Sequence, residues 1–590
     1  IFYHKAALRV NTKEDSPEEW ALIQKCLGDV YEKLAKININ EEKIEYLDTA
    51  INHYIAAFEV YTESNYPSNW ASLMQDLAGI YLNNYLENRS KSKDSLEKAI
   101  SLYSEILRVY RKSNFPTKWA FTNLKLGYAY LLRIDGDRKD NIETAINYFF
   151  ESLEILNKND NPKDWFFVLC GLAEAYLERI EGDRKDNLET AIHYCNTTLQ
   201  VISEEINPED RAVSLQALGS AHVFRIEGDR KDNLETAIHC LNLALKVLNE
   251  HDNPREWGIV QLSLGSIFLY RVTGNQQENI DNAIFYTNEA LKIFTKADYP
   301  REWAMAHLNL GAMFLLKLED NQESQFNTAI KFLHKAFEVL TKDDFPEEWA
   351  MAHLNLGIAL ISTNSNYEKN LEASITTLKK ALDVFSKEHL PHEWALIQQN
   401  LGVVYAERIL GNRLKNIQKS AEYYKAALTV ETPQANPFKC LTIANNLGSL
   451  AFIQGDWELA IEGFSIAIEA IENGRLISSD DSRRQEIISE AISVYNKIIQ
   501  SFINQGAVER AIEYAERSRC RRLVDLMATN DLYSDGNIPL KVAEYLKEYN
   551  AYQQEINTEI NRLSRKKING SDARGVFLDG NSGTITRANY

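Results

Sequence analysis

A proline returns along this chain at a nearly fixed interval: Pro17, Pro67, Pro116, Pro162, Pro208, Pro254, Pro300, Pro346, Pro391 and Pro437. The steps are 50, 49, 46, 46, 46, 46, 46, 45 and 46 residues. Eleven residues after nearly every one stands a glycine, at Gly28, Gly127, Gly219, Gly265, Gly311, Gly357, Gly402 and Gly448, with Ala78 and Ala173 in the other two slots. Self-similarity at a fixed period means that one supersecondary unit has been copied about ten times. Such units bury their apolar faces only by stacking on one another. The pattern therefore excludes a single globular core and predicts a stacked array. Arrays present surface, which points to recognition rather than catalysis.

Within a unit the periodicity is helical. Tyr299-Pro300 opens a helix, since proline at the first turn loses an N–H that would have no partner anyway. Trp303, Leu310, Gly311, Phe314 and Leu318 share one face, and Ala304, Leu308, Ala312 and Leu315 form a second apolar stripe. A helix apolar on two sides packs between two neighbours. Gly311 and its equivalents are expected where the paired helix crosses closely. The second helix is clearest after Pro208, where Ala237, Ile238, Leu241, Ala244, Leu245 and Leu248 follow Asn233, read as its N-cap. Asn141, Asn187, Asn279 and Asn416 occupy the same slot elsewhere. The expected fold is all-α: a right-handed superhelical solenoid of helix-turn-helix repeats.

The stretches Ala304 to Asn309-Leu310-Gly311 and Ala350 to Asn355-Leu356-Gly357 resemble the first helix of the tetratricopeptide repeat (TPR). So do Ala395 to Gly402 and Leu441 to Gly448. Tyr31, Tyr81, Tyr130, Tyr176, Phe268, Phe314 and Tyr405 fill the aromatic slot of that family three residues on. After Pro437, residues Gly448, Gly455-Asp456, Ala460, Phe464 and Ala467 fall at the family's ordinary spacing. The other units are longer, near 46 residues against about 34. Gly219 to Ala237 spans 18 residues where Gly448 to Ala460 spans 12. Both helices of the long units are expected to gain a turn or more. The expected organisation is extended TPR-like repeats over 1–435 and two shorter units over 436–530. A helical linker over 531–570 and the start of a further domain over 571–590 would follow.

The resemblance implies a concave groove that takes an extended peptide or helix. In that family the asparagine of Asn-Leu-Gly often bonds a bound peptide's backbone, a role that carries over to Asn309, Asn355, Asn400 and Asn446. Leu262, Leu308 and Leu354 would line the same groove. The asparagines can equally be satisfied bridges between repeats. The tryptophans three residues after the prolines (Trp20, Trp70, Trp119, Trp165, Trp257, Trp303, Trp349, Trp394) are read as packing. The motif Arg-Ile-x-Gly-Asp-Arg-x-x-Asn recurs at Arg133–Asn141, Arg179–Asn187 and Arg225–Asn233, with a weaker copy at Arg408–Asn416. Its arginines are read as ending helices, neutralised by Asp137, Asp183 and Asp229 of the same loops. A basic edge for an acidic partner is the other reading.

The net charge of −19 disfavours nucleic acid as a direct ligand, because phosphate binding needs a basic stripe. Six scattered cysteines, without metal spacing or paired motifs, fit a reducing cytoplasm. No cofactor or metal site is expected, and no segment is apolar enough to span a membrane. Cys520 lies among four arginines, but no histidine follows His392, so a neighbouring Cys–His pair is excluded. The helix from Glu509 to Leu523 resembles the last TPR helix before a CHAT domain, a caspase-like cysteine protease module. A charged helical segment over Pro539 to Lys567 and a strand at Gly575 to Leu578 would follow. Between Arg521 and Tyr590 there is neither the histidine nor the cysteine that such a protease needs, so this chain is not expected to be an enzyme. It begins at Ile1 without a methionine, and His4, Ala6, Ala7 and Leu8 read as the tail of a helix. A fragment of a longer protein is expected. The implied function is a scaffold or sensor that binds a protein or peptide and regulates a downstream CHAT protease, in bacterial defence. A pure adaptor without a protease, or an enzyme in its own right, are the alternatives.

Overall fold

The computed structural model describes residues 2–528 apart from 38–41, 88–92, 134, 202–207, 272, 318–321 and 478–480. Every regular element among the described residues is a helix. The chain falls into two compact units, Ile1–Ile267 and Phe268–Tyr590. The first holds a short α1 (Phe2–Ala7) and five helix pairs: α2 (Pro17–Ile37) with α3 (Glu42–Phe58), α4 (Pro67–Glu87) with α5 (Lys93–Val109), α6 (Pro116–Leu132) with α7 (Arg138–Leu153), α8 (Pro162–Glu178) with α9 (Arg184–Val201), and α10 (Pro208–Phe224) with α11 (Arg230–Ala244). Helix α12 (Pro254–Tyr270) crosses the boundary. The second unit continues with α13 (Gln276–Ile293) and five more pairs: α14 (Pro300–Leu316) with α15 (Gln322–Ala336), α16 (Pro346–Ser362) with α17 (Tyr367–Ala381), α18 (Pro391–Glu407) with α19 (Arg413–Leu428), α20 (Pro437–Gln454) with α21 (Trp457–Ile477), and α22 (Asp481–Gln505) with α23 (Val508–Ala528). Within each unit a pair packs on itself and on the next.

Every proline of the ladder is the first residue of a first helix. Five of the six first helices whose cap is described have no side-chain cap. Phe115, Tyr299, Phe345 and Leu390 precede the proline at φ −134° to −139° and ψ 61° to 71°, and their side chains make no bond to the helix. The proline keeps its predecessor out of the helical region. The first turn closes when the tryptophan N–H donates to the carbonyl before the proline, as Trp303 does to Tyr299 at 2.9 Å.

The repeat glycines take the place of a side chain at a helix crossing. A Cβ on Gly127 would stand 2.6 Å from Phe149, on Gly311 2.7 Å from Leu333, on Gly402 2.6 Å from Tyr424, and on Gly448 2.6 Å from Phe464. Phe149 enters a double notch, since a Cβ on Gly171 of the next repeat would also lie 2.4 Å from its ring. At α20–α21 the backbones themselves meet: a Cβ on Gly463 would lie 2.6 Å from the Gly448 nitrogen.

The caps of the second helices differ from the expectation. Asp229, not Asn233, is the N-cap of α11 and accepts from the backbone N–H groups of Lys231 and Asp232. Asp137, Asp183, Asn275 and Asn412 do the same for α7, α9, α13 and α19. Asn233 lies inside the first turn, 3% exposed. Its Nδ2 donates to the Glu227 and Arg225 carbonyls at 2.9 and 3.4 Å. Asn141, Asn187, Asn279 and Asn416 hold their loops in the same way. The loop can be held because its glycine (Gly136, Gly182, Gly228, Gly274, Gly411) adopts φ between 81° and 88°, a region closed to most side chains.

Helix lengths also depart from expectation. First helices α14, α16 and α18 have 17 residues, and α20 of the shorter repeat has 18. Second helices α15 and α17 have 15, against 21 in α21. The extra residues of the long repeats instead go into an earlier start of the second helix, a longer loop before it and a connector after it. Ala329 lies seven residues into α15, whereas Ala460 lies three into α21. The connector from Phe337 to Phe345 descends through two short turns.

Candidate functional site

The first helices of the second unit are almost wholly enclosed. Ala306–Met313 in α14, Ala350–Gly357 in α16 and Ile397–Gly402 in α18 are buried without a break. Asn309, Asn355 and Asn400 are 7, 1 and 6% exposed. Asn400 donates to the Leu396 carbonyl one turn back at 2.8 Å. Neither side-chain atom of Asn355 meets a hydrogen-bond partner. An amide left so costs about 1–3 kcal/mol against a satisfied one. Asn446, on α20, is half-buried. Leu308 and Leu354 belong to the core and pack with Leu401 and Val404. Leu262 is half-buried on α12, in the first unit.

A polar row two residues earlier escaped the sequence reading. Gln24, Asn123, Gln261, His307, His353 and Gln398 all stand seven residues after a ladder proline, and all are buried. Their common offset was the signal, hidden because the residue type changes along the row and four other repeats hold Met74, Leu169, Leu215 or Ala444 there. The His307 ring lies 4.2 Å from that of Trp303, and its Nδ1 donates to the Trp303 carbonyl. The His353 ring lies 4.3 Å from Trp349 and 4.4 Å from Phe337. Burial lowers both histidines, His353 to about 4, so both rings are neutral at neutral pH.

The tryptophans sit half-buried at the start of eight of the first helices. A lysine from the preceding turn covers several: Lys13 over Trp20, Lys112 over Trp119, Lys296 over Trp303, Lys342 over Trp349 and Lys387 over Trp394, at 5.6 to 6.0 Å. Lys296 also pairs with Glu338 of the next repeat at 2.7 Å, and Lys342 with Asp383 at 3.0 Å. The row thus joins repeats through cation–π and ionic contacts.

The loop arginines pair differently from the expectation. Arg133, Arg179, Arg225 and Arg408 each make a two-pronged bond to a carboxylate 36 residues earlier: Glu97, Glu143, Glu189 and Glu372, at 2.7 to 3.0 Å. Asp137, Asp183 and Asp229 are occupied as helix caps. The second arginine (Arg138, Arg184, Arg230, Arg413) donates to a carbonyl at the end of the first helix. A further ladder runs along the loop edge, Lys139 to Glu181 and Lys185 to Glu227, each at 3.3 Å.

Cys195, Cys240 and Cys440 are buried thiols, and burial pushes them to about 12, 11 and 12, so they pack as small hydrophobes. The Cys520 side chain and the segments over 539–567 and 575–578 lie outside the described residues. Among the described residues no cluster of His, Cys, Asp and Glu could hold a metal ion, and no helix is long and apolar enough to cross a membrane.

No family matches the chain, and no curated protein does. Several solved structures are similar at low identity. The human IFIT1 dimer with PPP-AAAA is 15% identical, covering 76% of this chain and 94% of that one at a TM-score of 0.38. The APC/C hetero-tetramer Cut9–Hcn1 is 15% identical, covering 86% and 92% at 0.35. Yeast Tom70 is 14% identical, covering 85% and 100% at 0.33. A likeness this loose says nothing about ligands. By its own helices and their order, the chain is an all-α array of tetratricopeptide-like helix pairs.

Proposed function

We propose that this chain is a scaffold that binds a protein or peptide partner along its first helices. The reading is carried by the row Asn309, Asn355, Asn400 and Asn446 on four successive first helices, within which Asn355 holds a donor and an acceptor that the fold leaves unspent. An extended backbone offers one acceptor and one donor per residue and would match them. Leu308 and Leu354 would shape such a groove from beneath, and Leu262 would serve the same role on α12. Because Asn355 is closed over, binding would require neighbouring first helices to part, a motion that an array with only nearest-neighbour contacts permits.

The finer part of the proposal is that binding regulates a CHAT cysteine protease downstream, in bacterial defence. Its support is the sequence of α23, from Glu509 to Leu523. No catalysis is proposed for the chain itself, and direct nucleic-acid binding is disfavoured by its net charge of −19. The test measures a captured partner against Asn309→Ala combined with Asn355→Ala, and against Asn446→Ala. Loss of about tenfold or more in affinity is expected. Unchanged affinity in both variants would remove the groove assignment.

A further inference from the structure

The loop between α18 and α19 departs from the charged loops after α6, α8 and α10 in a way the fold does not require; the loop over 271–278 carries one cation and one carboxylate. Residues 133–140, 179–186 and 225–232 each carry three cations and three carboxylates. Residues 408–415 carry three cations (Arg408, Arg413, Lys415) and no carboxylate. The acid that elsewhere receives the ladder lysine, Glu181 or Glu227, is replaced by Leu410. The ladder lysine itself, Lys139 or Lys185, is replaced by Leu414. The acid in the first turn of the second helix, Asp140, Asp186 or Asp232, becomes Lys415.

Each change is unfavourable for an isolated loop. Leu410 and Leu414 are 43 and 67% exposed, and beside them Ile409, which the motif shares with Ile180 and Ile226, is 57% exposed against 40 and 38% there. Ile453, at the end of α20 in the next repeat, is 78% exposed. The short link from α20 to α21 covers none of them. Ile417 of α19 and Leu459 of α21 pack against one core cluster, and α19 packs on α20. Lys415 stands at a helix N-terminus with no acid in the first turn, against the helix dipole. Glu372 is held by Arg408, and Asp456 caps α21. Exposed Arg413, Lys415 and Lys419 form a basic rim on a chain of net charge −19.

We propose that Ile409, Leu410, Leu414 and Ile453 form a docking site for an acidic amphipathic segment of a protein partner. Apolar side chains on one face of that segment cover the four aliphatics, and carboxylates on its flanks meet Arg413, Lys415 and Lys419. Apolar contact supplies affinity, and the rim selects charge. This edge carries none of the first-helix asparagines, so the two surfaces can be tested separately.

The probe is a synthetic 18-residue helix with leucines along one face and glutamates beside them, paired with a copy carrying lysines for the glutamates. Binding to the full chain is read by fluorescence anisotropy. The variant Leu410→Glu, Leu414→Lys, Lys415→Asp restores the loop pattern of the other repeats at exposed positions, and an unchanged melting curve verifies its fold. The glutamate peptide is expected to bind wild type at least about tenfold more tightly than the variant, and about tenfold more tightly than the lysine peptide. Its affinity should fall as salt rises. Absent binding, equal binding to wild type and variant, or equal binding of both peptides would overturn the proposal. So would sedimentation showing wild type as a dimer that the variant converts to monomer, since the site would then belong to a second copy.

Discussion

At the scale of single residues, the glycines show how far a repeated character can be read. Their period places them at a crossing, and the structure supplies the opposing group: Phe149, Leu333, Tyr424 or Phe464 fills the space a Cβ would take. Alanine is the better helix former by up to about 1 kcal/mol, so only packing can favour glycine. Gly127→Ala and Gly448→Ala are expected to destabilise their repeats by about 1–3 kcal/mol, the usual range for overpacking. Gly219→Ala should cost less, because its Cβ would stand 3.2 Å from Leu241. Local amide exchange checks the ranking, and Phe149→Leu should recover part of the loss in Gly127→Ala. Equal costs at all three glycines would mean that the crossings are not what selects them. The polar row from Gln24 to Gln398 was not legible in the same way. A buried polar side chain on an apolar helix is recognised by its surroundings, and those come from residues distant in sequence.

At the scale of elements, helix starts were legible and helix lengths were not. Proline fixes a start by its own covalent geometry, whatever the neighbours do. Where a helix stops depends on which carbonyls find partners, and in the long repeats the connectors use those partners to wind through turns instead. The caps follow the same logic. Asn233 and Asp229 both suit an N-cap by residue type, so composition could not separate them. The left-handed Gly228 decides it, by folding the loop back until its carbonyls face Asn233. Their roles predict different costs. Asp229→Ala removes an exposed cap and should cost about 1 kcal/mol. Asn233→Ala leaves the Arg225 and Glu227 carbonyls without their side-chain donor and should cost about 1–3 kcal/mol. Urea unfolding with exchange at α10–α11 would compare the two, and the reverse order would restore Asn233 as the cap.

At the scale of the whole molecule, stability within each unit is a sum of repeats and their joints, so one altered joint is felt locally. One joint is built unlike seven others. Six residues before a ladder proline, seven repeats bury a large apolar side chain: Tyr61, Tyr110, Leu156, Leu248, Phe294, Leu340 and Phe385, each 3% exposed or less. Before Pro437 the same slot holds Glu431, 1% exposed. It sits 2.9 Å from His392 Nδ1 and 3.7 Å from Lys439 Nζ, with its Oε2 unpartnered. Tyr61 and Tyr110 reach the matching point of their repeats, donating to the Glu18 and Ser68 carbonyls. A buried carboxylate carries a desolvation cost of several kcal/mol that its partners offset only in good geometry, whereas an apolar plug carries none. Glu431→Leu, which restores the plug, is therefore expected to stabilise the α18–α21 joint by about 1–4 kcal/mol. His392 and Lys439 are partly exposed and can turn to water. Because coupling decays from repeat to repeat, amide protection should rise in α18–α21 and stay unchanged in α6–α9. A fall in protection at α18–α21 would show that the His392–Glu431–Lys439 group holds this joint together. A rise spread evenly over the chain would show that the repeats do not behave as a sum of local terms.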